Sequence, residues 1–552
     1  MLIANDGRIH CSEHTQVITH GHFSVYWEGF VYGYGQLAGE ASVRGFTQAV
    51  EKLGVCGARQ GLSGSYSIAV YDHTTREWLA FSDPSRSLPW YWGSEMFSTS
   101  LLDLAKQMGL NVEDLNLDAV VEFLLTGLQF SKEILFEGIK VAGPDEIIRW
   151  RNGKLWIETD NRVMDPFRMP VPQDHVEAFL GAWERLATAI QNEVVSVDLT
   201  GGTDTRVIVG ILDWLGVRFE TAVSGTSRHS DVLISQQVAA ILGNSHPHYP
   251  CIHRVNPERL WQELYEVVQA VDGVADGVSA HRLYQLWKDR ASRGVTLVIG
   301  GSGGELYKDG GWWRAAALLG PGPDPQGRLI RRLVQSGLIG WGLEANPPND
   351  IFHPALRPIV NSYKVRLIES LRRRYSKDLS EGIYRFADRL FFEYSVRAPR
   401  GFGARILPSY SPLLDVNFAC VGINLPWHQR FLHRFYRKVL WQVNPQLTQI
   451  PTNRGGMTLQ PRRELIELLG GLQALKKRRQ DSAIPKDDPL LFESLRRSTE
   501  IARAFDDLKA WKILADDVAV RQIPDRYLGR LITLWITFDL VRGSDGTGYQ
   551  RN

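Results

Sequence analysis

The sequence predicts an α/β protein in two parts: a β-rich amino-terminal region, and a longer region built on a doubly wound parallel sheet with a helical extension. Two observations carry that prediction. Short alternating apolar runs separated by turn residues fill positions 1 to about 165. Beyond the proline-dense stretch Asp165-Pro-Phe-Arg-Met-Pro-Val-Pro172, apolar strands alternate with amphipathic helices. Such alternation requires a parallel sheet covered by helices on both faces.

In the first region, strands are expected at Phe23–Trp27, Ser65–Tyr71 and Trp78–Ser82. Turn residues Asp72–Arg76 and Asp83–Ser85 separate them. Helices interrupt at Thr47–Leu53 and Asp118–Leu125, and a hairpin turns at Asn152-Gly153 within 146–158. Residues 166–174 read as a linker. In the second region, helices are expected at His175–Gln191, Arg206–Leu215 and Asp231–Leu242, with strands at Val194–Leu199, Phe219–Val223 and Val295–Ile299. After about residue 315 the chain reads as mostly helical. The domains are therefore 1–165 and 175–552.

Composition excludes several classes. Lys+Arg 63 against Asp+Glu 61 leaves a formal charge of +2, so nothing asks for nucleic acid or an anionic membrane. The cysteines, Cys11, Cys56, Cys251 and Cys420, are never within four residues of one another. That excludes zinc ribbons and CxxC motifs, and they read as ordinary buried residues. The start has no basic segment followed by an apolar one, and no apolar run approaches membrane-spanning length. A cytoplasmic protein is expected.

The segment that carries chemistry is Val197-Asp-Leu199-Thr200-Gly201-Gly202-Thr203-Asp204-Thr205-Arg206. It leaves a strand and opens a helix. Glycines permit close backbone approach, while threonine hydroxyls and helix amides make a concavity suited to phosphate. A carboxylate at Asp204 makes sense there if it holds Mg²⁺. No Gly-Lys-Ser/Thr follows, which excludes a Walker A loop.

Leu199–Thr205 resembles the pyrophosphate-binding loop of the N-type ATP pyrophosphatases, Ser-Gly-Gly-x-Asp-Ser, with threonines for both serines. The wider chain resembles the asparagine synthetase family. Thr221-Ala-Val-Ser224-Gly225, Asp231 and Ala239–Gly243 follow in the family's order. Asp272, Gly273 and Asp276 then precede Gly301-Ser-Gly-Gly304-Glu305-Leu306, similar to the family's Gly-x-Gly-x-Asp-Glu-Leu. Ser411-Pro-Leu-Leu-Asp415 resembles its Pro-Phe-Leu-Asp. Leu62–Asp72, Leu79–Asp83 and Phe136–Gly143 resemble its glutamine-hydrolase domain, an αββα sandwich.

Departures accompany the likeness. Family members that hydrolyse glutamine carry a cysteine directly after the initiator methionine; here position 2 is Leu2. The amino-terminal domain is therefore expected to be degenerate, retained for structure. In the second glycine-rich loop, Gly304 replaces the family's Asp and Glu305 matches its Glu; in a shifted alignment, Glu305 takes the Asp position. The family's lysine near the carboxy terminus has only Arg454 as a counterpart.

The resemblance implies an ATP-dependent ligase with ATP and Mg²⁺. Leu199, Thr200, Gly201, Gly202, Thr203, Asp204, Thr205, Val223, Ser224 and Gly301 would bind nucleotide. Asp204 and Glu305 would hold the metal, and Asp204, Glu305 and Arg454 would act in catalysis. A carboxylate would be adenylated and joined to an amine. Branches lacking the cysteine include the β-lactam synthetases and lasso-peptide cyclases, which implies lactam or macrolactam closure in a small-molecule or peptide substrate. A leader-peptide-binding or protease partner is compatible with that style. Asparagine formation from free ammonia and a non-catalytic scaffold are the alternatives.

Overall fold

The computed structural model describes residues 1–249, 258–339, 347–375, 382–393, 405–453, 457–461 and 489–543. The first region holds two antiparallel sheets. One orders β2 (Ile9–His10), β1 (Leu2–Ile3), β8 (Met96–Ser98), β7 (Tyr91–Gly93) and β9 (Lys140–Val141). The other orders β11 (Lys154–Thr159), β10 (Glu146–Arg151), β6 (Glu77–Ser82), β5 (Ser63–Asp72), β4 (Phe23–Tyr32) and β3 (Gln16–His20). Ile3, Ala69, Trp78, Trp90, Phe97 and Trp150 share a core cluster drawn from both sheets. Helix α1 (Glu40–Arg59) buries Val43, Phe46 and Val50 against Val25, Ile68 and Phe81 of the larger sheet. Helix α2 (Leu101–Gln107) packs on β7 and β8. The layers are helix, sheet, sheet, helix.

α1 begins earlier than the predicted Thr47–Leu53, at Glu40, and its helical backbone breaks at Gly54, directly after the predicted end, before a further turn runs on to Arg59. The hairpin forms as expected. Arg151 pairs with Lys154, and Asn152 and Gly153 both take the positive φ that a two-residue turn needs. α3 (Leu117–Thr126) packs against the helix Arg357–Tyr375, where the Tyr363 hydroxyl donates to Glu122 at 3.1 Å.

α4 (His175–Ala189) leads into a parallel sheet ordered β14 (His248–Tyr249), β13 (Phe219–Ser224), β12 (Val195–Asp198), β15 (Leu297–Ile299), β16 (Ser409–Tyr410). Val195, Val197, Leu297 and Ile299 are buried, as central strands of a sheet covered on both faces require, and Ser196 is buried among them. The chain steps outward from β12 to β13 and β14, then returns to lay β15 and β16 on the opposite side. Strand order reverses between β12 and β15. The carboxyl ends of strands at such a reversal open a crevice. α5 (Asp204–Trp214) follows β12 and α6 (Ser230–Leu242) follows β13. α7 (Leu260–Ala270) and α8 (Gly277–Ser292) pair and pack under the helix Asp525–Val541.

A buried polar network joins the regions. Asp415 accepts from the Gly64 amide (3.1 Å) and the Tyr410 hydroxyl (2.9 Å), and Tyr410 meets Tyr32 at 3.1 Å. Among the described residues, no helix is long and apolar enough to cross a membrane.

Candidate active site

Two turns leave the sheet at its reversal, one after β12 and one after β15. Glycine lets them touch. A Cβ on Gly301 would stand 2.7 Å from Thr205 Cγ2, and one on Gly304 would stand 2.3 Å from Asp204 Cγ. Gly303 takes φ +91° with the Leu413 backbone 2.9 Å from its Cβ direction, so both its dihedral and its surroundings demand glycine.

The first turn is held by its own hydroxyls. Thr205 Oγ1 accepts from the Thr200 amide at 3.1 Å, and Thr200 Oγ1 accepts from the Gly202 amide at 3.3 Å. Asp231, at the start of α6, accepts from the Gly201 amide (3.0 Å) and from Asn453 Nδ2 (2.7 Å). The Asn453 amide donates back to the Gly201 carbonyl at 3.0 Å. Neither Gly201 nor Gly202 has a positive φ, so a tight turn is not what glycine provides here. Crowding is the reason: a Cβ on Gly201 would meet Asn453 Cβ and Ile234 Cδ1 at 3.1 Å. The amides of Asp204, Thr205 and Arg206 fall in the first turn of α5, where a helix has no internal acceptors. They are donors for an anion.

Charge is placed on both sides of this turn. Lys308 Nζ lies 2.5 Å from Asp204 Oδ2, and its side chain is only 4% exposed. The short turn Gly304–Tyr307 delivers this lysine. Tyr307 stacks on Phe435 and Tyr436, and its hydroxyl donates to the Phe418 carbonyl at 2.6 Å. The Tyr436 hydroxyl donates to the Gly304 carbonyl at 3.3 Å. Burial, then the charge of Asp204, hold that hydroxyl far above its ordinary pKa. Glu305 is half-buried and adds to the same effect. Beneath the turn, Arg206 is fully buried. It donates to the carbonyls of Ile450 (2.5 Å) and Pro451 (2.9 Å), and burial pulls its pKa down to about 10. Asp198, at the end of β12, pairs with the buried Arg290 at 2.7 Å.

The structure gathers Thr200 to Thr205, Gly301, Gly304 and Glu305 around one crevice. Leu199 and Val223 are buried at neighbouring strand ends, and the Leu199 amide donates to the Ala222 carbonyl at 2.9 Å. Ser224 closes β13. Arg454 and Cys251 lie outside the described residues. Asp272 and Asp276 stand elsewhere: Asp272 holds the start of α2 and pairs with Arg405 at 3.0 Å, and Asp276 caps α8. Cys11 is exposed, contrary to its reading as a buried residue, because it follows the short edge strand β2. Lys308, Asn453, Arg206 and Tyr436 were not singled out from sequence. Lys308 had the clearest signal, as the basic residue four positions after Gly304 in the second glycine-rich loop. A cavity of about 1190 Å³ between β1, α2, α7 and α8 is remote from this crevice. Several of its charges pair internally, as in Glu266 with Lys288 at 2.9 Å.

Residues 185–447 match the family model for asparagine synthase. Over this segment, just under half of its length, the chain is similar to the asparagine synthetase family. No curated protein matches it. The family match gives the reaction class, that of an ATP-dependent, amide-forming carbon–nitrogen ligase. Every turn of the crevice up to Glu305 falls within the matched segment, as does Asp415; Asn453 lies beyond it. A magnesium ion held by the protein alone does not fit these residues. Among the described residues no group of three or more His, Cys, Asp and Glu side chains is placed to hold a metal ion, and Asp204 already faces an ammonium.

Proposed function

We propose that this chain adenylates a substrate carboxylate with ATP and couples it to an amine, closing a lactam or macrolactam in peptide or specialised-metabolite maturation. The observation that supports this most is the meeting of the Thr200–Thr205 turn, the Gly301–Glu305 turn and the Lys308 ammonium at the reversal of a parallel sheet. The β- and γ-phosphates of ATP would rest on the first-turn amides of α5 and the threonine hydroxyls, with the adenine near Leu199 and Val223. A carboxylate oxygen attacks the α-phosphorus and the bond to the β-phosphate oxygen breaks. Pyrophosphate leaves with its charge met by donors already in place. The amine then attacks the acyl carbon, AMP departs, and the amine proton passes to solvent. Magnesium would come only as the counterion of the nucleotide, with Glu305 and Arg454 as the chain's candidates to act near it.

The nitrogen is supplied as an amine of the substrate rather than released from glutamine. Of the described cysteines, Cys56 and Cys420 are buried, and even the partial burial of the exposed Cys11 pushes its thiol above the ordinary pKa. None is an activated nucleophile. The amino-terminal layers are accordingly proposed as a degenerate glutaminase-like domain, 1–165, retained to support the synthetase part through Asp415 and Tyr410.

The test is product identity. The full chain is incubated with Mg-ATP and a panel of amino-acid and peptide carboxylates, and label exchange from pyrophosphate into ATP is followed. Carboxylate-dependent exchange, with AMP and not ADP as the nucleotide product, supports the reading. ADP and phosphate as products would sink it.

A further inference from the structure

Resting on that reading of the crevice, we infer that Lys308 is its resident cation. It stands in place of a divalent metal held by the protein, and its ammonium passes from Asp204 to the pyrophosphate oxygens when nucleotide binds. Four observations point this way. The Lys308 side chain is 4% exposed and the carboxylate in ion-pair contact with it is Asp204, 2.5 Å away. A buried ammonium without a counter-charge is strongly disfavoured, so this pair is fixed by mutual need. Its backbone is anchored by the neighbouring ring of Tyr307, which stacks against both Phe435 and Tyr436 and leaves the chain little freedom there to withdraw. Gly304 presses its Cα against Asp204: a Cβ would stand 2.3 Å from Cγ and 2.4 Å from Oδ1. Any side chain at 304, a carboxylate included, would collide with Asp204 in this arrangement.

The pair is therefore one carboxylate and one ammonium, neutral in sum. A divalent ion on the same carboxylate would face the buried ammonium at close range in a low-dielectric setting, where like-charge repulsion is strongest. A polyphosphate reverses the balance. Its oxygens compete with Asp204 for the three ammonium protons, and the released carboxylate becomes available to whatever cation the nucleotide carries.

Two probes on the full chain test this. The first is Mn²⁺ alone, without nucleotide, followed by the electron paramagnetic resonance of the free ion. Wild type should take up no stoichiometric Mn²⁺ at this site. Lys308→Met, which frees Asp204, should gain a site that Asp204→Asn in the same background removes. Stoichiometric Mn²⁺ on wild type that Asp204→Asn abolishes would overturn the inference. The second probe is inorganic pyrophosphate in EDTA, by calorimetry. Wild type should bind it. Lys308→Met should weaken binding about ten- to hundredfold, the loss of one charge-assisted hydrogen bond, and Lys308→Arg should keep most of it. Pyrophosphate that fails to bind without metal, or binds Lys308→Met as well as wild type, would overturn it. If Lys308→Met does not fold, the wild-type Mn²⁺ result and the Lys308→Arg isotherm still decide. A protein that passes both probes yet exchanges no pyrophosphate with any carboxylate would keep this inference and lose the ligase reading.

Discussion

Replacing Arg206 by methionine should loosen the segment that closes over the glycine turn. The guanidinium is fully buried and has no carboxylate partner among the described residues. It binds the carbonyls of Ile450 and Pro451 at 2.5 and 2.9 Å. Two charge-assisted bonds at about 1.5–3 kcal/mol each sum to about 3–6 kcal/mol. The drop of its pKa to about 10 corresponds to about 3 kcal/mol of burial cost, which methionine would recover. Each carbonyl left buried without a donor adds about 1–3 kcal/mol against the variant. The balance is a net loss of about 2 kcal/mol at the low end of these terms and more above it. For a transition of roughly 150–250 residues, that lowers the melting temperature by at least about 4–8 °C. Calorimetric melting of wild type, Arg206→Met and Arg206→Lys measures it. Lysine keeps the charge but reaches fewer carbonyls, so its midpoint should fall between the other two. An Arg206→Met midpoint at or above that of wild type would refute the idea that this guanidinium ties 447–451 to α5.

Other outcomes follow from the same geometry. Gly304→Ala should push the Asp204 carboxylate off Lys308 and lower pyrophosphate exchange by about tenfold or more, the worth of one such bond; unchanged exchange would contradict the contact. Asp388→Asn should destabilise the helical region by about 3–5 kcal/mol in denaturant titrations, because the buried Arg430 loses its carboxylate at 2.9 Å; a change below about 1 kcal/mol would count against it. Burial raises Asp83 to about 7, against hydrogen bonds from Ser87 and Tyr66 that lower it. A carboxyl raised in the fold stabilises below its ordinary value near 3.8, and that contribution is lost as pH climbs through about 7. The stability of wild type should therefore fall between about pH 4 and pH 7 relative to Asp83→Asn, and parallel pH profiles would exclude the shift.

Much of the sheet was legible because its signals are local. The apolar residues of β12, β13 and β15 lie in short local runs, and the 146–158 hairpin is dictated by Asn152-Gly153. β14 and β16 were not, since each is two residues long and two residues have no period. Yet β16 extends the sheet beside β15 and brings Ser411–Asp415 to the crevice. The site divides in the same way. Thr200 to Thr205 form one contiguous motif, and a motif can be read. Arg206 finds its acceptors 244 and 245 positions away, and Lys308 meets Asp204 across 104. No local pattern encodes those pairings. The Lys308–Asp204 pair follows from the strand order, which brings β15 next to β12.

The most direct test of the crevice as a nucleotide site is a calorimetric titration of Mg-ATP, beside AMP, into wild type and Lys308→Met. Saturable ATP binding to wild type is expected, weakened about ten- to hundredfold by the substitution, with AMP affinity unchanged because it lacks the β- and γ-phosphates. Absent ATP binding, or ATP and AMP affected alike, would contradict a polyphosphate site between Thr200–Thr205 and Lys308.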